Sequence, residues 1–455
     1  AELAENSPVR GCMTIRPYGY AIWELIQKQF DDIIKSMGVQ NCYFPTMIPL
    51  SFFQKEAEHV DGFAKESAVI THYRLKSEDG KIVVDDEAKL TEPYILRPTS
   101  ETLIGDAMSR WVNSYRDLPM LLNQWANVFR WEMRPRMFLR TSEFLWQEGH
   151  CAFATKEESL KQALEILHLY QEYGASKLGL FSYIGEKTPE ERFAGADNTF
   201  TFETMSQDGK ACQSGTSHDL GQHFAKSFNI KYQSVEGKDE FAWTNSWGWS
   251  TRLIGAMIVA HADDDGLVLP PAVAPYQVVI IPFMKADMNV EKLDEYCQDV
   301  KDKLMSLGIR VHFDNTDARS SDKVWKWIKK GVPVRIEVGS KEIEDGTLTV
   351  TRRDLGKASQ QTIALGEIDK IAGLLDDVQK AVFEKHKKLT LDSTKEVKTV
   401  GDAQKLLAED FKGFIKLPYR ETLSEKYEEL KEKYKVTRRC LPLGEEDLVI
   451  IAKSF

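Results

Sequence analysis

Apolar residues recur at helical spacing through residues 23–38: Trp23, Ile26, Phe30, Ile33, Ile34 and Met37 share one face, and Gly38 suits the end. Residues 39–49 read as a strand broken by Pro45 and Pro49. The stretch 155–174 predicts the clearest helix, opened by a Thr155–Glu158 capping box and stopped at Gly174. Residues 198–206 alternate as a strand does. Residues 253–266 begin as an apolar helix and end in an acidic turn.

The pattern changes after 270–277, a linker stiffened by its prolines. Strands at 277–283, 309–314, 332–339 and 347–353 alternate with helices at 289–308 and 321–331. On the first of these helices Leu293, Tyr296, Cys297, Val300, Leu304 and Leu307 lie on one side. Such alternation predicts a small α/β domain with parallel pairing. Beyond residue 366 the chain reads as mostly charged helix. The run 385–398 reads as an exposed helix end, and 447–455 as a short β-like tail. At 455 residues the chain is too long for one core, and these breaks divide it into 1–270, 271–376 and 377–455.

Composition is that of a soluble globular protein, and no window approaches the ~18 consecutive apolar residues of a membrane-spanning helix. The first ten residues lack the apolar run of a secretory signal. The six cysteines are widely separated, with no CxxC pair, which predicts reduced thiols in a cytoplasmic setting. The net charge of −10 does not announce a nucleic-acid partner, but it is unevenly spread. Residues 1–270 hold 27 Lys+Arg against 38 Asp+Glu, whereas 271–455 hold 33 against 32, so the second part is the better polyanion surface.

Chemistry concentrates in residues 128–150, with four arginines, three glutamates and five large aromatics. Read as a hairpin with 134–137 as its loop, this segment presents Arg130, Glu132, Phe144, Trp146 and Glu148 to one region. That set suits a nucleoside triphosphate beside a small ligand: a guanidinium clamps phosphate or carboxylate, a ring stacks on a purine, and a carboxylate accepts from an exocyclic amine. A salt-bridged hairpin accounts for the same pattern. Thr99 and Glu101 offer two nearby acceptors for a protonated amine, or cap the helix that follows. Residues 212–226 read as a small-residue turn bearing Gln213, Ser214, Thr216 and His218; the histidine is either structural or a ligand contact. In 244–257 Gly248 is expected in a tight turn, with Arg252 projecting from the first turns of a helix as a second phosphate clamp.

Together these segments resemble the class II aminoacyl-tRNA synthetases, and among them the prolyl-tRNA synthetases of archaeal/eukaryotic type, over nearly the whole chain. Residues 37–49 look like motif 1, "FRWE" with "RTSEFLWQEGH" like motif 2, and "GWSTRLIGAM" like motif 3. "RPTSE" and "QSGTSHDLG" point to proline. The resemblance implies an α/β chain: an α+β catalytic domain (1–270) on an antiparallel sheet flanked by helices, a small α/β anticodon-binding domain (271–376), and a short C-terminal α+β domain (377–455). It also implies a homodimer, with Pro45 near its interface. L-proline, ATP with Mg²⁺, and tRNA for proline are the implied partners. Proline and ATP would give prolyl-adenylate and pyrophosphate, and the prolyl group would then pass to the tRNA 3′ end.

Carried over position by position, Arg130 would bind the α-phosphate and the proline carboxylate, Glu132 and Arg140 would hold the nucleotide, and Phe144 would stack on adenine. Arg252 would take the γ-phosphate with help from Gln213 and Thr216, and Glu203 would bind Mg²⁺. Thr99 and Glu101 would receive the proline ammonium. Trp146, His218 and Ser246 would line its pocket, with Glu148 and His150 close behind. Arg335, Glu337, Lys341, Arg352, Arg353 and Asp354 are the polar anticodon candidates, and a solvated charged strand explains each of them equally well. Relatives often carry four zinc-binding cysteines near the C-terminus; this chain has only Cys440 there, so no zinc is expected. The interval 151–243 is too short for an inserted editing domain, which leaves any proofreading to act in trans. A synthetase for threonine, histidine or glycine is one rival reading. A synthetase-derived tRNA-binding or regulatory protein without catalysis is another, disfavoured because Arg130, Arg140 and Arg252 are all present.

Overall fold

The computed structural model describes residues 1–54, 63–284 and 289–455. Apolar/polar alternation in the middle of the chain becomes long antiparallel strands: Met120–Phe129, Glu143–Phe153, Ser182–Glu186, Asn198–Met205, Ala211–Gly221 and Trp243–Ser250. In space they run 182–186, 198–205, 211–221, 243–250, 143–153, 120–129, with Gln40–Asn41 parallel at the far edge.

Helices Pro17–Ser36, Lys156–Leu178 and Arg252–His261 cover one face of this sheet, and the largest hydrophobic cluster lies between. Its centre is aromatic: Phe30 lies 4.2 Å from Trp249, and Tyr170 stacks on Trp249 at 4.8 Å. Gly149 faces Trp247 across the strand pair, where a Cβ would overlap the indole ring. The glycine therefore lets a tryptophan enter the core between two strands.

Several expectations need correction. The Thr155–Glu158 capping box is present, but its helix passes Gly174 and ends at Gly179, which has φ +64°. Gly174 lies instead against Phe202, allowing close helix–sheet packing. Residues 211–221 and Gly248 belong to strands, not turns. The pairing carries on only as far as Arg130 N, which donates to Ser142 O, and then leaves the ladder where Trp131 N donates to Glu66 O instead.

Further on, Val278–Pro282 pairs in parallel with Val311–Phe313 and Val334–Val338, while Thr347–Arg352 and Gln361–Ala364 pair antiparallel. The sheet is thus mixed rather than parallel throughout, since residues 339–346 are too few for a crossover.

After helix Lys370–Asp392 the chain is not mostly helix. Strands Thr394–Glu396, Phe414–Pro418, Val436–Pro442 and Leu448–Lys453 alternate with helices Val400–Ala408 and Glu425–Tyr434. These strands extend the large sheet, with Gly185 opposite Pro442 and Glu186 opposite Leu441. Nor is 385–398 simply exposed: His386 and Thr390 are buried, and His386 Nδ1 accepts from Phe181 N at 2.9 Å. Among the described residues no helix is long and apolar enough to cross a membrane.

Gly149→Ala is expected to destabilise the chain by about 1–3 kcal/mol, because the added methyl overpacks a rigid ring. Urea unfolding checks this, and an unchanged midpoint would show that the Trp247 indole can move aside.

Candidate active site

The open face of the large sheet holds a cleft lined by polar and aromatic side chains. Period-two alternation builds it. Along Glu143–Phe153, Phe144, Trp146, Glu148 and His150 line the cleft, while Gln147 and Cys151 point to the core, where Gln147 Oε1 accepts from Tyr170 Oη at 2.9 Å. Across the sheet Gln213, Thr216, His218 and Ser246 line the same space.

Thr99, Glu101, Arg130 and Arg252 complete the set. Ser100 is the N-cap residue of helix Glu101–Trp111, yet it makes no side-chain cap. Its hydroxyl donates instead to Glu148 Oε1 at 2.6 Å. Thr99 Oγ1 donates to Glu101 Oε2, and Ser246 Oγ donates to Glu101 Oε1 at 3.2 Å. Two elements distant in sequence thereby hold one buried carboxylate at the cleft wall.

Arg130 donates from Nε to Pro98 O at 3.0 Å, and its guanidinium lies over the rings of Trp146 (5.4 Å), Phe144 (5.7 Å) and Phe63 (5.1 Å). Arg252 begins its helix and is braced by Leu139 O at 2.8 Å and Gln213 O at 3.3 Å. Among the described residues neither guanidinium hydrogen-bonds a carboxylate, although Glu101, Glu66 and Glu148 act on Arg130 through charge.

Glu132 and Arg140 lie in an adjoining cleft that shares Arg130, Phe144, Ser250 and Arg252 with the first. They bond to each other at 2.9 Å. Glu148 and His150 form a buried pair at 3.0 Å. Burial alone would push the Glu148 carboxyl up, but hydrogen bonding and charge from His150, with Ser100 and Gln124, hold it below the usual range. Burial likewise opposes the charge on His150, yet Glu148 raises its pKa. His218 differs: burial, then Arg130 and His150, lower it to about 3, so it is neutral near pH 7. Its ring nitrogens lie 3.1 Å from Thr199 Oγ1 and 3.0 Å from Thr216 Oγ1.

Glu203 is a correction. It is fully buried and outside the cleft lining, with Oε1 on Lys187 Nζ (2.9 Å) and Thr201 Oγ1 (3.0 Å) and Oε2 on Arg439 (2.9 and 3.1 Å). Both oxygens already serve cations, so the carboxylate does not fit a magnesium ligand. The anticodon candidates are also tied. Arg335 pairs with Glu337 at 2.7 Å, Arg352 with Asp354 at 2.7 Å, and Arg353 with Asp263 at 2.8 Å. Arg353 is thus a brace to the turn after helix Arg252–His261, not a free reader of bases. Glu337 and Lys341 border a cleft with Phe283, Thr349 and Gln361.

The cleft also includes Lys187, Glu191, Arg192, Phe193 and Thr199, which sequence reading missed. Their segment matches no ligand motif; residues 187–193 follow directly from the internal strand Ser182–Glu186, and Thr199 sits on strand Asn198–Met205 beside it. Phe193 lies 4.5 Å from the His218 ring and is the clearest omission.

Two family descriptions match the chain: "tRNA synthetase class II core domain (G, H, P, S and T)" over residues 82–261 and "Anticodon binding domain" over residues 277–372. The proline--tRNA ligase of Paramagnetospirillum magneticum is 50% identical over 415 residues, covering 90% of this chain and 83% of that protein. That of Bdellovibrio bacteriovorus is 49% identical over 458 residues, covering 98% and 91%. The Porphyromonas gingivalis enzyme is 49% identical over 452 residues, covering 98% and 90%. With a class II core, an anticodon-binding module and identity of this extent, the chain belongs to the prolyl-tRNA synthetases of class II.

Proposed function

We infer that this chain is a proline--tRNA ligase, activating L-proline with ATP and passing the prolyl group to the 3′ end of its tRNA. The single observation that carries this reading is the cleft itself. A buried carboxylate, Glu101, shares the cleft with two guanidinium groups that, among the described residues, hydrogen-bond backbone carbonyls rather than carboxylates. The first step brings a carboxylate against a phosphate. Two anions repel, so positioning and positive charge matter more than a general base.

In this reading Arg130 bridges the proline carboxylate and the α-phosphate, and Arg252 takes the far phosphate beside Gln213 and Thr216. Phe144 stacks on adenine, with Glu132 and Arg140 at the nucleotide's edge. Mg²⁺ arrives with ATP as part of the substrate. Glu101, assisted by Thr99 and Ser246, accepts the proline ammonium. Trp146 and His218 wall the ring, with Glu148 and His150 holding Ser100 and the sheet behind them. A neutral His218 suits this place, since a second cation would repel the ammonium.

Residues 271–376 serve the anticodon, with the cleft beside Glu337 and Lys341 as the contact surface, and the divisions 1–270, 271–376 and 377–455 stand as functional units. The homodimer is supported by exposed Tyr43, Met47, Val69 and Tyr73 around the small sheet of Met47–Pro49, Lys89–Leu96 and Val69–His72. Cys440 is wholly buried against Met205 and Phe414, which supports a core role rather than a zinc role. The relatives named above are bacterial and lend no support to the archaeal/eukaryotic subtype. What supports it is the chain itself, with its domain after the anticodon-binding region and no room for an insertion at 151–243. A cytoplasmic place follows from the activity.

Pyrophosphate exchange across the twenty amino acids tests the function: proline is expected to give the dominant signal, and exchange with threonine but not proline would exclude the assignment. Glu101→Gln is expected to raise KM for proline at least about tenfold while KM for ATP moves little; an unchanged proline constant removes the ammonium site. The depressed pKa of His218 makes folding stability fall with acidity, because only the unfolded chain gains that proton below about pH 6.5. Between pH 7 and 5 the parent chain is therefore expected to lose about 2 kcal/mol more than His218→Gln in urea titrations. Equal losses would show that His218 protonates freely in the folded state.

A further inference from the structure

The cleft wall missed from the sequence is fastened by residues far down the chain. Two adjacent arginines of strand Val436–Pro442 reach into the catalytic half. Arg438 pairs through Nη1 with Glu190. Arg439 holds Glu203, whose other oxygen holds Lys187. Arg438, Arg439 and Lys187 are all buried, and Glu203 is completely so.

From Lys187 the connections run to the cleft. Lys187 N donates to Thr199 O at 2.7 Å, and Phe193 N donates to Thr199 Oγ1 at 2.9 Å. The same Thr199 hydroxyl lies 3.1 Å from His218 Nδ1, and Phe193 covers the His218 ring. Each of these links is a hydrogen bond, an ion pair or a ring contact, with no gap between Arg439 and the imidazole.

We propose that Arg439, assisted by Arg438, is a positioning residue for the amino-acid side of the cleft: it locks Glu203, which seats Lys187 and the Phe193 wall against His218. The proposal rests on the ligase reading for the identity of the amino acid, not for the coupling itself. Removing Arg439 frees one Glu203 oxygen to re-orient, and Lys187 moves with its partner. The nucleotide end is served by other elements, the Arg252 helix and the 130–142 loop, so it is spared.

In the full chain Arg439→Met is expected to raise KM for proline about tenfold in pyrophosphate exchange, with KM for ATP within about twofold of the parent. Arg439→Lys, which keeps the charge, is expected to recover most of the loss. In substrate-free protein carrying ¹³Cε1-histidine, Arg439→Met is expected to shift the His218 resonance, assigned with His218→Gln. An unchanged proline KM, or equal rises in both constants, overturns the proposal. Should the parent chain give no exchange with proline, the ligase reading fails alone and the histidine spectrum decides: an unmoved His218 signal refutes the coupling, and a moved one sustains it. If Arg439→Met does not fold, Lys187→Met, which keeps the Glu203–Arg439 pair, carries the same expectations.

Discussion

Successive side chains of a β-strand must point to opposite faces, and the whole site depends on that constraint. The Glu143–Phe153 strand places Phe144, Trp146, Glu148 and His150 over the cleft and alternates them with residues packed under the sheet. A slip of one residue would bury the charged set and expose the core set together. Trp247 sharpens the register, because its ring is accommodated only where the facing strand carries Gly149.

On that frame the charges are treated in two ways. Carboxylates at the back are saturated: Glu148 receives Ser100, Gln124 and His150, and Glu203 receives Lys187, Thr201 and Arg439. Buried anions this well partnered stay ionised and immobile. The two arginines at the front are braced by neutral carbonyls, and the carboxylates near Arg130 reach it through charge without a hydrogen bond among the described residues, which leaves its donors for a ligand. The same residue types thus serve rigidity in one place and ligand attraction in another, and the difference is made by their partners.

Much of this was legible in the sequence, because it is local. The capping box at Thr155, the strand at 198–205 and the gathering of Thr99, Glu101, Arg130, Trp146, His218 and Arg252 follow from spacing and motif. What was not legible is set by partners remote in the chain. Gly174 reads as a stop until Phe202 is seen beside it, and Gly248 reads as a turn until it lies against Gln147. Glu203 reads as a free anion on a strand, whereas two basic residues, one of them from the last strand pair, occupy both of its oxygens. After residue 392 the tail at 448–453 was legible as a strand, whereas 394–396, 414–418 and 436–442 are short and set among lysines, arginines and glutamates that read as charged helix.

The pairing of Gly185 and Glu186 with Pro442 and Leu441 has a bearing on biosynthesis. An unpaired strand edge invites association with other chains, and here the covering strand, Val436–Pro442, is translated long after the margin it covers. A nascent polypeptide therefore carries the bare Ser182–Glu186 margin until residues 436–442 are made, and products released before that point would be the species most prone to self-association.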